Sequence, residues 1–178
     1  MPGLTSRLAG PQDIPALEVV MAAAIAELQR GFLSPAQIEA SRMIMGLDRQ
    51  LVSDGTYFIV EAEGRIAGCG GWSRRATLYG GDHTPGRDAA ILDPSTDAAR
   101  VRAMYTHPDF ARRGVGRRIL ELCEAAAGAE GFTRLELMGT MSGRPLYESY
   151  GFVAIEEILD DRGGAPVPLV RMGKAIVG

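Results

Sequence analysis

Between Arg112 and Arg118 the chain sets four guanidinium groups around two glycines, Arg112-Arg113-Gly114-Val115-Gly116-Arg117-Arg118. The planar guanidinium fork suits phosphate oxygens, and glycine lets a bulky group approach the backbone. Val115, Ile119, Leu122, Cys123 and Ala126 follow at helical spacing, so both glycines are expected in the first turn of a helix. Glycine weakens a helix there, and its double use points to a close neighbour. The first amides of a helix have no internal partners and lie at its positive end, where they can hold a phosphate. Arg112, Arg113, Gly114, Val115, Gly116 and Arg117 therefore form a candidate pyrophosphate cradle. The plainer reading is a helix with an arginine-rich solvated face.

The elements around it must position that cradle. Before it, Val101, Ala103 and Tyr105 alternate with Arg102, Met104 and Thr106, the period of a strand. His107-Pro108-Asp109 ends the run, because Pro108 lacks an amide hydrogen. Upstream, Arg7 to Ala9 reads as a short strand. Asp13 reads as the cap of a helix whose stripe is Leu17, Val20, Met21, Ala24, Ile25 and Leu28. Ser34-Pro35 repeats the cap-then-proline signal and predicts a second helix through Ile38, Met43 and Leu47. Thr56 to Glu61 and Arg65 to Trp72 predict a hairpin turned at Glu63-Gly64. Gly68, Gly70 and Gly71 in its second strand mark a bulge or a close approach. Ser73 through Ala99 shows neither periodicity, and so long a loop is expected to be functional or mobile. Strands are also expected at Arg134 to Met138, Phe152 to Ile158 and Val167 to Met172. A short helix opened by Pro145 carries Tyr147 and Tyr150. Strands interleaved with helices predict an α/β or α+β domain around a mixed sheet, one domain over residues 1–178.

The 178 residues are enough to bury a core, and 46% hydrophobic with 23% charged residues is ordinary for a globular chain. A formal net charge of −3 argues against broad nucleic-acid binding and sets the arginine cluster apart. Cys69 and Cys123 lack any ligand spacing, so free thiols are expected, with neither disulfide nor metal site. The first residues lack the pattern of a signal peptide, and no apolar run approaches a membrane span. A cytoplasmic location is the expectation.

The strand, His-Pro turn and Ala111-Arg112-Arg113-Gly114-Val115-Gly116 segment, with the later Leu146-Tyr147-Glu148-Ser149-Tyr150-Gly151-Phe152, resemble the GNAT superfamily of N-acetyltransferases. Ala111 stands where that pattern has Arg or Gln. The resemblance, over roughly Arg7 to Met172, implies a mixed, mostly antiparallel central sheet with helices on both faces. It implies acetyl-CoA as donor, with its pyrophosphate on the cradle and its pantetheine arm against the backbone of Met104, Tyr105 and Thr106. It implies direct transfer to a small-molecule or peptide amine, with Tyr147 donating a proton to the departing thiolate. It places the 73–99 loop, with Asp82, His83 and Arg87, beside the acceptor. Homodimers are frequent in the family, and no nucleic acid or membrane partner is implied. Many relatives have a glutamate on the fourth strand, where this chain reads Arg100-Val101-Arg102. Asp97, Asp82, His83 and Glu61 remain alternatives for a base, and none is assigned. A fold of this kind that binds acyl-CoA without turning it over is the second reading.

Overall fold

The structure is a computed structural model and describes residues 3–177. Seven strands form one sheet: β1 (Thr5–Leu8), β2 (Tyr57–Ala62), β3 (Arg65–Ser73), β4 (Ala99–Thr106), β5 (Arg134–Thr140), β6 (Val153–Asp160) and β7 (Val167–Ala175). Their spatial order is β1-β2-β3-β4-β5-β7-β6, antiparallel throughout except for the parallel pair β4–β5. The helices are α1 (Ile14–Glu27), α2 (Pro35–Ser41), α3 (Arg49–Ser53), α4 (Val115–Ala129) and α5 (Arg144–Tyr150). This is the mixed, mostly antiparallel sheet that the family resemblance implies, with α4 on one face and α1 on the other.

Each face closes on its own apolar set. Val115, Ile119, Leu120 and Cys123 of α4 pack with Val60, Ala67, Val101 and Leu135. Leu17, Val20, Met21 and Ile25 of α1 pack with Ile59, Cys69 and Tyr105. The glycines of β3 bring α4 down onto the sheet. A Cβ on Gly68 would lie 2.5 Å from Val115 Cγ1, and one on Gly70 would lie 2.7 Å from Ile119 Cγ2. The close approach predicted at these glycines is that of the helix.

Three expectations change. Asp13 does not cap α1 with its side chain; its carboxylate instead accepts from both Arg7 Nη atoms at 2.9 Å and from Gly10 N at 2.8 Å. The second helix ends at Ser41, short of Met43 and Leu47, although its Ser34 cap forms as expected, accepting from Gln37 N at 3.2 Å. The short helix α3 follows, capped by Asp48, which accepts from Gln50 N at 3.0 Å. Strand β4 does not alternate throughout, because Ala103 has φ 52° and the β3–β4 register shifts between Cys69 and Gly71. That bulge puts Val101 in the α4 core and Tyr105 in the α1 core, two residues predicted to share a face. Tyr57 fixes it by donating its hydroxyl to Ala103 O at 2.6 Å.

Candidate active site

Strand β4 leaves its neighbour where the site opens. It pairs with β5 only at Ala99 with Leu135 and Arg100 with Glu136, and beyond Arg100 no strand covers that edge. His107 N donates to Ala67 O at 2.8 Å, which turns Tyr105 toward β3 as well. Period two then leaves the backbone groups of Met104 and Thr106 facing the open side. An extended, amide-bearing arm can pair there as an added strand.

The gap holds a groove of about 460 Å³ that reaches Gly114, Gly116 and Arg117 at one end and Tyr147 at the other. Arg112 and Gly114 have φ of 63° and 81°, and alternation through the left-handed region makes successive amides converge on an anion. Gly114 is the residue before α4 and not part of its first turn, so its role is to supply that positive φ. Arg118 N is the first amide to bond back, to Gly114 O at 3.0 Å, and those of Val115, Gly116 and Arg117 have no backbone partner among the described residues. The neighbour that Gly116 admits is Leu146 of α5, whose Cδ2 would lie 2.5 Å from an added Cβ.

The arginines divide. Arg112 and Arg117 border the groove, while Arg113 turns away to Glu63 Oε2 at 2.9 Å and over the Phe110 ring. Only the backbone of Arg113 belongs to the loop that faces the groove. His107 accepts from Asp109 N through Nδ1 at 3.1 Å and so shapes the turn before the cradle.

A second, smaller cavity of about 80 Å³ lies beyond the groove, walled by Ile44, Leu78, Gly80, Arg102, Met138 and Leu169 among others. Met45, Met104, Tyr105, Thr140 and Tyr147 border both spaces. The 73–99 segment thus supplies part of this wall through Leu78, Tyr79 and Gly80. Asp82, His83 and Arg87 instead tether the segment. Asp82 Oδ2 accepts from Arg49 Nη1 at 2.7 Å, His83 Nε2 lies 2.6 Å from Arg42 O, and Arg87 Nη2 donates to Asp48 Oδ2 at 2.8 Å.

Tyr147 stands on α5 with its ring against Gly139 and Gly143, where an added Cβ would come within 3.1 and 2.8 Å of it. Phe152 meets the ring edge-on at 6.1 Å between centroids. The Tyr147 hydroxyl has no hydrogen-bond partner among the described residues, and the residue borders both cavities. Burial pushes this phenol up to about 12. Tyr150 is committed elsewhere, donating to Glu124 Oε1 at 2.6 Å beneath Arg117 and Lys174. Ser142 and Thr140 border the groove and lie 3.2 Å apart, Oγ to Oγ1.

None of the alternatives for a base reaches these spaces. Glu61 accepts from Arg7 Nε at 3.3 Å, and Asp97 accepts from Asp93 N at 2.7 Å. Among the described residues no carboxylate, imidazole or thiol borders either cavity. Both cysteines are fully buried, and burial raises the Cys69 thiol to about 12 and Cys123 further, which disfavours the nucleophilic thiolate.

A feature that sequence reading did not find is the ion cluster behind the small cavity. Asp48, 2% exposed, accepts from Arg102 Nη2 at 2.9 Å and from Arg87. The signal was present as a charged residue, Arg102, inside a central strand. Its partner lies 54 residues away and could not be paired by spacing. Asp48→Ala is expected to destabilise the protein by about 3–5 kcal/mol, since it leaves buried guanidinium groups without their counter-charge. Urea denaturation measures it, and a loss below about 1 kcal/mol would show the cluster to be dispensable to the fold.

The family described as "Acetyltransferase (GNAT) domain" matches residues 53–154 of this sequence. Among solved structures, a GCN5-related N-acetyltransferase from Rhodopseudomonas palustris is similar over 98% of this chain and 97% of its own, at 20% identity and a TM-score of 0.73. The PaiA N-acetyltransferase of Thermoplasma acidophilum, in complex with coenzyme A, is similar over 97% and 98% of the two chains, at 15% identity and a TM-score of 0.63. The ribosomal-protein-S18-alanine N-acetyltransferase of Escherichia coli is similar over 98% and 95%, at 17% identity and a TM-score of 0.60. No curated protein is a significant match to the sequence.

Proposed function

Because the chain belongs to the GNAT acetyltransferase family, we propose that it transfers an acetyl group from acetyl-CoA directly to an amine. The observation that carries this is the meeting of a long groove and a small cavity at one unpartnered phenol, Tyr147. The groove has an anion-binding loop at one end and an open strand edge along its side, the two things a pyrophosphate and a pantetheine arm need. The amides of Val115, Gly116 and Arg117, with Arg112 and Arg117 beside them, hold the pyrophosphate. Met104 and Thr106 pair with the arm, and an amide there stabilises the charge that develops on the thioester oxygen. The neutral amine occupies the small cavity and forms the new C–N bond as the C–S bond breaks; its surplus proton passes to solvent water, and the CoA thiolate leaves to be protonated as free thiol. Tyr147 donates to the departing sulfur. The binding of coenzyme A by the similar Thermoplasma protein supports the choice of donor.

The lack of a bordering carboxylate or imidazole favours a second reading, a module that binds acyl-CoA without turning it over. One experiment separates them: release of free CoA thiol from acetyl-CoA across a panel of amines. Amine-dependent release is the expected result. Binding of acetyl-CoA with no release for any amine favours the module.

A further inference from the structure

Arg102 is 3% exposed, yet its guanidinium is only partly used. Its hydrogen bonds all leave from Nη2, to Asp48 Oδ2 at 2.9 Å and to Gly80 O at 2.5 Å. Nε and Nη1 have no partner among the described residues, and neither is among the buried polar atoms sealed from solvent. Arg102 borders the small cavity, and so does Gly80, whose carbonyl its guanidinium reaches, which sets the guanidinium beside that space. A nearly buried guanidinium with unmet donors is costly unless something fills them.

The surrounding charges do not fill them. Asp48 is shared with Arg87, which also lies 3.8 Å from Asp82, and Asp82 is bound to Arg49. Arg49, Arg87 and Arg102 thus stand against Asp48 and Asp82, leaving one positive charge in excess. Asp54 is taken up by Arg75 at 2.8 Å and Asp160 by Arg162 at 2.7 Å, so neither cancels it. The rest of the wall mixes the apolar side chains of Ile44, Leu78, Leu137, Met138 and Leu169 with the polar groups of Tyr79, Thr140 and Tyr147. At about 80 Å³ the cavity is too small to enclose a six-atom molecule whole, so a small acceptor placed there keeps its amine at the border shared with the groove.

We infer that Arg102 seats the carboxylate of the acceptor, which is a small amine of the α-amino-acid kind with an apolar side chain. The inference rests on the transfer reading above and names its substrate class. A carboxylate can accept from one of these donors through a single charge-assisted bond, and it neutralises the excess charge. It also fixes the amine end of the molecule at a set distance from Arg102. With charge balanced and water displaced, burial favours the neutral amine over the ammonium, which lessens the need for a base at the cavity wall.

The test compares kcat/KM for alanine and 2-aminobutyrate with that for their amides and decarboxylated amines, using acetyl-CoA and reading thiol release. Loss of a charge-assisted contact with a desolvated partner is worth roughly 10–150-fold, so the wild-type protein is expected to prefer the acids by that factor. Arg102→Gln should bring the ratio of acid to amide close to unity, and Arg102→Lys should keep part of the preference. Equal rates for acid and amide in the wild-type protein overturn the inference without recourse to any variant. So does an Arg102→Gln protein that keeps the full preference. If acetyl-CoA binds by calorimetry and no amine of either kind is turned over, the transfer reading itself fails, and this assignment with it.

Discussion

Tyr147→Phe is expected to lower kcat by roughly 10²–10³-fold, the range for losing one donor aimed at developing charge, with acetyl-CoA affinity little changed. The substitution removes one oxygen and keeps the ring that packs against Gly139, Gly143 and Phe152. The oxygen bonds to nothing else among the described residues, so no structural contact is lost with it. Tyr147 borders both cavities, so under the proposed transfer it stands beside the thioester sulfur. A free thiol has a pKa of about 8.5, well below the value of about 12 to which burial pushes this phenol. Full ionisation of Tyr147 is therefore uphill, and its main contribution is a hydrogen bond that strengthens as charge builds on sulfur. The same shift fixes the pH dependence. Tyr147 stays protonated until the pH nears its raised value, so any loss of rate on the basic side below that belongs to another group. Tyr150→Phe should cost little rate, because its hydroxyl is bound to Glu124 on α4. Steady-state kinetics on both variants decide the matter. Full kcat in Tyr147→Phe with a loss in Tyr150→Phe would move the role to Tyr150.

What was legible in the sequence follows from how local each feature is. The strand, the His-Pro turn and the glycine-arginine segment are contiguous, so their periodicity and punctuation were enough to place that loop ahead of α4. The positive φ of Arg112 was not readable, because arginine carries no preference for it, whereas Gly114 announced its own. The bulge at Ala103 was hidden for the same reason, and with it the face on which Tyr105 lies. The register of a strand is set by its neighbours, and one extra residue reverses every side chain beyond it. The break after α2 was missed because Met43 and Leu47 continue the helical spacing after the backbone has turned. The Asp48–Arg87–Arg102 cluster joins three distant segments, and only tertiary structure assembles it. The divided roles of the arginines were equally non-local, since Glu63 and Phe110 draw Arg113 aside.

Gly114→Val is expected to weaken acetyl-CoA binding by roughly 10–100-fold, the loss of one or two charge-assisted hydrogen bonds from backbone to phosphate. At φ 81° the backbone of Gly114 lies in the left-handed region, which costs an ordinary L-residue about 1–2 kcal/mol and a β-branched one more. Valine relieves that strain only by turning the peptide planes that aim the amides of Val115 and Gly116 at the groove. Gly114→Asn separates strain from bulk, since asparagine tolerates this conformation while still adding a side chain. If the aim of the amides governs affinity, Asn should retain most of it; if space for the phosphate governs, Asn and Val should fall together. Arg112→Ala and Arg117→Ala act through exposed charges, so their smaller losses should grow at low salt and shrink at high salt. Arg113→Ala should do less still, because its guanidinium is already paired with Glu63. Calorimetry on folded protein is the measure, with folding checked by circular dichroism. An unchanged dissociation constant in Gly114→Val would mean that the pyrophosphate does not rest on this loop, and the groove would then need another explanation for its charged end.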